Sequence, residues 1–207
     1  MISMRFLIIA LCLCTFLFSC QQAGEHKGSL KAAKAYQEEL SAFWKNDSST
    51  PLHAEEKAEF KGITFFPLSE AYVVTATFSP IADGKVLPMP TSARKTKYFK
   101  EYGTLHFTLK DTPVTLTVYQ SDPPHEEDRD GLFLPFTDQT SGKTSYGAGR
   151  YIDLSTKDIR QFQVTIDFNQ AYNPYCAYST YYNCPIPPAN NRMPVAVSAG
   201  VSYQNAH

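Results

Sequence analysis

From residue 29 onward the apolar positions recur at helical spacing. In "SLKAAKAYQEELSAFWKND", Leu30, Ala33, Gln37, Leu40 and Trp44 fall on one face, with Tyr36 and Phe43 beside them. Ser29 is placed to cap the start, and Asn46-Asp47 to end the helix. A second, shorter helix is predicted after Thr50-Pro51 through "LHAEEKAEF", with Pro near its first turn and Gly62 just past its end. After Gly62 the period drops from helical to alternating. "ITFFPL" and "AYVVTATF" read as strands, and "GTLHFTLK-DT-PVTLTVYQ" as a hairpin in which Leu105, Phe107 and Leu109 face Leu116 and Val118. His106 falls on the opposite face of that hairpin, as a solvent-facing or packed histidine rather than a catalytic base. "LFLPF", "GRYIDL", "QFQVTIDF" and "MPVAVSAG" bring the expectation to about eight strands.

Strands adjacent in sequence and joined by short turns pair antiparallel. The expected class is therefore mainly β (α+β): a curled antiparallel sheet, barrel-like or a sandwich, with two N-terminal helices packed at its edge. No internal repeat or low-complexity tract interrupts it.

The N-terminus changes the picture of where this domain works. Arg5 precedes "FLIIALCLCTFLFS", an apolar run too short for a stable membrane span but suited to a signal-peptide core. It ends in Leu17-Phe18-Ser19-Cys20, which resembles a bacterial lipobox, with no A-x-A-like site before Cys20. The expectation is a lipoprotein signal peptide over 1–19, an acylated Cys20 with a polar tether over 20–28, and a single β-rich domain over 29–207. Acyl chains on Cys20 would bury enough methylenes to hold the chain on a bilayer. Gln21 and Gln22 offer no Asp that signals inner-membrane retention, so the outer membrane facing the periplasm is favoured. Cys12 and Cys14 would leave with the signal, so Cys176 and Cys184 remain as a candidate disulfide.

Net charge excludes one partner class. The chain carries −1; loss of Arg5 with the signal makes that −2. Nucleic acid, which needs a basic stripe, is not expected. The protein is expected to act as a monomer.

Several local patterns fail their own chemistry. "SGKT" at 141–144 has the tail of a phosphate-binding loop, but Thr137 stands where its first Gly belongs. "HEEDR" at 125–129 opens like a zinc-protease helix and has Arg129 in place of the second His. Glu126, Asp128 and Asp130 alternate before Gly131 as in a calcium loop, yet Thr137 replaces the closing bidentate Glu. No G-x-S-x-G appears. No metal and no cofactor are expected.

The densest chemistry lies in "DFNQAYNPYCAYSTYYNCPIPPANN", residues 167–191, which holds five of the 13 tyrosines, five asparagines, four prolines and two cysteines. Together with "TSGKTSYGAGRYIDL", "FKGITFFPL" and "LFLPFTDQTSG", this segment resembles the bacterial family known as domain of unknown function 1684. The resemblance covers essentially the whole chain after the signal. It departs at Gln170, where a basic residue is more usual, and in "AGVSYQNAH", where an acidic residue commonly follows the A-G. It implies a fold and the location of a site, and brings no activity with it.

The residues themselves supply candidates. Arg150 and Arg192 offer planar forks for carboxylates or phosphates. Tyr151 and Tyr172 offer apolar faces with hydroxyl tips. Asp167, Asn169, Asn173 and Asn191 add acceptors and amides. One reading is a pocket at the rim of the sheet for a polar small molecule, whether a sugar, carboxylate or phosphate. A second is a hydrolase acting on envelope glycans with Asp167 or Asp153 as acid or base. A third is a structural lipoprotein that contacts other proteins. The bland alternative is that the same groups merely satisfy the backbone of a long loop.

Overall fold

The computed structural model describes residues 28–93 and 95–203. The expected signal peptide, the acylated Cys20 and the tether up to residue 27 lie outside the described residues. No helix among the described residues is long and apolar enough to cross a membrane.

Helix α1 spans Leu30–Lys45. Ser29 Oγ accepts the Ala32 N–H at 3.1 Å and so satisfies one free donor of the first turn. Ala33 and Trp44 are its buried residues. Helix α2 is one turn, Ala54–Lys57, shorter than the pattern of "LHAEEKAEF" suggests.

Nine strands follow among the described residues: β1 (Thr64–Phe65), β2 (Val73–Pro80), β3 (Val86–Met89), β4 (Lys97–Leu109), β5 (Thr112–Ser121), β6 (Gly131–Phe136), β7 (Arg150–Ser155), β8 (Gln163–Asp167) and β9 (Val201–Ser202). Seven of them form one antiparallel sheet in the order β7-β6-β5-β4-β2-β8, with β3 added along β4. β1 and β9 pair separately. The two ends of the large sheet meet. Tyr151 in β7 and Tyr172, shortly after β8, exchange N–H···O bonds of 2.9 and 3.0 Å. The sheet is therefore curled and laced shut at one end, which selects the barrel-like alternative over the sandwich.

Alternation fills the interior. Leu105, Phe107 and Leu109 from β4 meet Val114, Leu116 and Val118 from β5, with Leu134, Phe136, Ile152 and Ile166 completing the core. The β4–β5 turn sits at Lys110-Asp111, both at positive φ (50° and 59°), one residue before the expected Asp-Thr pair. This double left-handed geometry matches the twist of a tight hairpin. His106 is exposed on the outer face, the solvent-facing of its two expected settings, between the hydroxyls of Thr104 and Thr115.

Two departures from the sequence pattern matter. β3 was hidden by Pro88 and Pro90; it is a short strand on β4 with Pro88 inside it. "MPVAVSAG" alternates, with Met193, Val195, Val197 and Ala199 buried, but it forms no strand and joins no sheet. Its first half bonds the backbone of Thr137 and Gln139 through the Met193 N–H and Val195 O, and its second half turns to the Arg150 guanidinium, which bonds Val197 O at 2.7 Å, Ala199 O at 2.5 Å and, at the start of β9, Val201 O at 3.2 Å. From Val197 onward the segment is held by a side chain where a neighbouring strand would normally hold it.

Candidate functional site

The outer face of the sheet carries a second set of aromatic residues. A bulge in β4 between Glu101 and Gly103 shifts the register, so Phe99 points away from Leu105 although the two are an even number apart. Phe99 thereby joins Tyr119 and Met89 in a separate apolar cluster, with Phe133 packed against it. Phe99 and Phe133 stack at 5.1 Å, Phe133 meets Tyr151 edge-on at 4.7 Å, and Tyr151 meets Tyr172 edge-on at 5.8 Å. These rings form the floor of a cavity of about 640 Å³. Tyr36, Leu40, Phe43 and Trp44 of α1 form one wall, and the loops around His125–Gly131 and Tyr172–Pro185 form the others. Such a volume lies in the range of small-molecule sites.

α1 is pinned across this opening by rings. Trp44 stacks on Phe60 at 5.3 Å and meets Tyr178 at 4.7 Å, while Phe43 stacks on Tyr175 at 6.2 Å. Gln37 adds a hydrogen bond to Asn169 O at 2.9 Å.

Asp153 supplies the charge on the floor. Along β7, Arg150 and Ile152 are buried, while Tyr151 and Asp153 fall on the cavity side. The Asp153 carboxylate is exposed by area yet flanked by protein on most sides, as befits a group inside a concavity. Desolvation holds its pKa above the ordinary aspartate value; the Tyr172 hydroxyl, at 2.9 and 2.8 Å from the two carboxylate oxygens, opposes that rise, and the nearby Asp128 carboxylate adds to it. Tyr36 and Tyr172 are both raised, first by burial and then by the charge of Asp153. Asp128, which also lines the cavity, sits so close to Gly131 that any Cβ there would lie 2.2 Å from Asp128 Oδ2.

Cys176 and Cys184 are both free thiols here, so the expected bridge is not formed in this structure. They are neighbours all the same: the Cys176 N–H donates to Cys184 Sγ at 3.2 Å. The Cys184 thiol pushes Cys176 down to about 6, and the same interaction pushes Cys184 up. Cys184 lines the cavity.

The expected site residues divide. Tyr151, Tyr172 and Asn173 line the cavity. Arg150 does not. Its side chain is fully buried, 2.9 Å from Asp138 Oδ2 and enclosed by the rings of Phe66 and Phe136. Asp138 in turn accepts from the Thr140 N–H and hydroxyl and from the Val197 N–H, so "TSGKTSYGAGR" is the wrapping of a buried ion pair. Asp167 accepts from the Asn169 N–H and Nδ2, and Asn169 bonds both polar backbone atoms of Ser69. Asn191 Nδ2 donates to Thr117 O and Pro135 O, and its Oδ1 accepts the Thr117 N–H. Arg192 is exposed and outside the cavity lining. All five face other surroundings because strand parity and loop closure, not residue type, decide where a polar group points.

The sequence reading did not assign Tyr36, Phe99, Asp128 or Asn183 to the site. The available signal was the Tyr151–Asp153 pair on one face of a strand whose other face is Ile152 and Leu154.

A curled antiparallel barrel with a helix-covered aromatic cavity on its outer face defines the class. The chain belongs to the family described as protein of unknown function (DUF1684), whose model matches residues 58–202. Its fold is similar to the solution structure of an uncharacterized protein of Haloarcula marismortui, at 31% identity and a TM-score of 0.67, over 86% of this chain and 95% of that one. A search of curated proteins found no match.

Proposed function

We propose that this protein is a small-molecule binding module whose ligand occupies the aromatic cavity, presented at the bacterial envelope by a lipid on Cys20. The observation that carries the reading is Asp153: a carboxylate on the floor of a cavity walled by tyrosine, phenylalanine and tryptophan. Flat rings suit the apolar faces of a small molecule, and the carboxylate orients its donors. Among the ligand classes named from sequence, carboxylates and phosphates are disfavoured, because Arg150 is buried elsewhere and Asp153 and Asp128 repel anions.

Titration calorimetry against neutral saccharides, organic amines and carboxylates tests this. Binding by a donor-bearing ligand that weakens on Asp153→Asn is expected; silence across the panel would overturn the reading. Cys20 is tested separately by metabolic palmitate labelling, expected in the parent chain and lost in Cys20→Ser.

A hydrolase is the second reading, and one observation favours it. Asp128 and Asp153 share the cavity, and Asp153 is raised as a general acid must be. Turnover of aryl glycosides that vanishes in both Asp153→Asn and Asp128→Asn is the expected sign. Absence of turnover leaves the binding reading alone.

A further inference from the structure

The hydrogen-bonding groups of the cavity are unbalanced in one direction. Three tyrosine hydroxyl protons are already engaged: Tyr172 donates to Asp153, Tyr182 to Pro51 O at 2.8 Å, and Tyr151 to Pro185 O. The amide donors of two lining asparagines are engaged as well, Asn173 Nδ2 with the Tyr178 hydroxyl at 2.7 Å and Asn183 Nδ2 with Lys95 O at 3.1 Å. Their carbonyl oxygens are not. Asn173 Oδ1 and Asn183 Oδ1 have no partner among the described residues, but both are sealed from the cavity as they are from water, so they offer a ligand nothing.

Charge is unbalanced in the same sense. Asp153 has lone pairs left after Tyr172, and no cation lies within ion-pair distance of it among the described residues. The charged neighbour that acts on it is another acid, Asp128. Lys97 is also in the lining, but it is exposed and its charge acts on Cys184. His125 stands exposed at the rim.

A carboxylate with lone pairs left over, no cation upon it among the described residues, and a surround of aromatic rings have one common complement. We propose that the cavity takes an organic ammonium ion, a primary amine on a compact apolar body, with its N–H groups on Asp153 and its body between the rings. An ammonium head has three donors and no acceptor, so it leaves no lone pair facing a lone pair. Its charge is also attracted to aromatic faces. A sugar hydroxyl brings an acceptor with every donor and fits this wall less well. The inference rests on the cavity being the ligand site.

The test compares 2-phenylethylamine, its neutral counterpart 2-phenylethanol, and methyl β-glucoside by calorimetry with the full chain. The amine is expected to bind at least about tenfold more tightly than the alcohol, and to lose that preference in Asp153→Asn. Asp128→Asn, in an exposed loop where folding is not at risk, should weaken the amine by a few-fold and leave the alcohol unchanged. Equal binding of amine and alcohol, or preference for the glucoside, overturns the ammonium proposal and leaves the binding reading standing. No heat from any of the three overturns both.

Discussion

Tyr172 serves the fold with its backbone and Asp153 with its side chain. Its main chain laces β7 to the segment after β8 through Tyr151, and its hydroxyl donates to both oxygens of Asp153 at 2.9 and 2.8 Å. Closure of the barrel and placement of the cavity's acid are thus one structural event.

Tyr172→Phe separates the two. The backbone lacing needs no hydroxyl, so the barrel should persist, with a loss of about 1.5–3 kcal/mol from a hydrogen bond to a charged group. The hydroxyl lowers the Asp153 pKa, so its removal should raise it further. Carboxyl NMR titration of the parent and the variant measures this directly. An unchanged Asp153 midpoint would contradict the geometry.

Asp153 should also be visible in the pH dependence of stability. Its pKa in the folded chain is above the 3.8 of an ordinary aspartate, so the folded state holds that proton to higher pH than the unfolded state does. The group is therefore neutral to stability below the unfolded value and becomes a growing penalty as pH rises through the folded value. Asp153→Asn, which keeps an acceptor for Tyr172, is expected to melt higher than the parent at neutral pH. That advantage should fade as pH falls below about 4. Melting curves from pH 3 to pH 8 check the sign; a variant less stable at neutral pH goes against it.

Arg150 has more depending on it than one ion pair. Removing one partner from a buried pair costs about 3–5 kcal/mol, and here three carbonyls of the 197–201 segment lose their donor as well. Arg150→Met should fall at or beyond the upper end of that range in denaturant titrations. The second change Asp138→Leu should not restore it, because the carbonyls stay unsatisfied. Full rescue by the double variant would mean that the charge pair alone mattered.

The two cysteines should differ in reactivity by an order of magnitude or more at neutral pH. Cys176 is partly accessible and pushed down to about 6 by the Cys184 thiol, whereas Cys184 is buried and pushed up. Iodoacetamide at pH 7 should label Cys176 first, with a rate that falls as pH drops through about 6. Cys184→Ser should move that midpoint upward if the thiol is the stronger donor. Mild disulfide oxidants should link the pair within one chain, and peptide mapping would show the cross-link. Equal labelling of both thiols would undo the assignment.

Helix α1, the alternating strands and the β4–β5 hairpin were all legible in the sequence, because periodicity reports which side of an element meets the core. Part of residues 167–191, from Tyr172 to Pro185, lines the cavity. The same periodicity misled at "MPVAVSAG": Met193, Val195 and Val197 alternate as a strand would, yet their hydrogen bonds are divided between the Thr137–Gln139 backbone and the Arg150 side chain and build no sheet. β3 was obscured by Pro88 because a proline argues against a strand unless the strand is short and at the margin of its sheet.

The site was half legible. Tyr151, Tyr172 and Asn173 are in it, while Arg150, Asp167, Asn169 and Asn191 are in the framework. Residue type told which groups carry chemistry and did not tell which way they face. Local pattern along the chain determined the elements, their order and the crowded loop. Three long-range events decided the cavity: the bulge that turned Phe99 outward, the Tyr151–Tyr172 lacing that brought two sheet ends together, and the ring contacts that laid α1 across the opening. Each joins residues far apart in sequence, and a contact of that kind leaves no periodic trace in the chain that makes it.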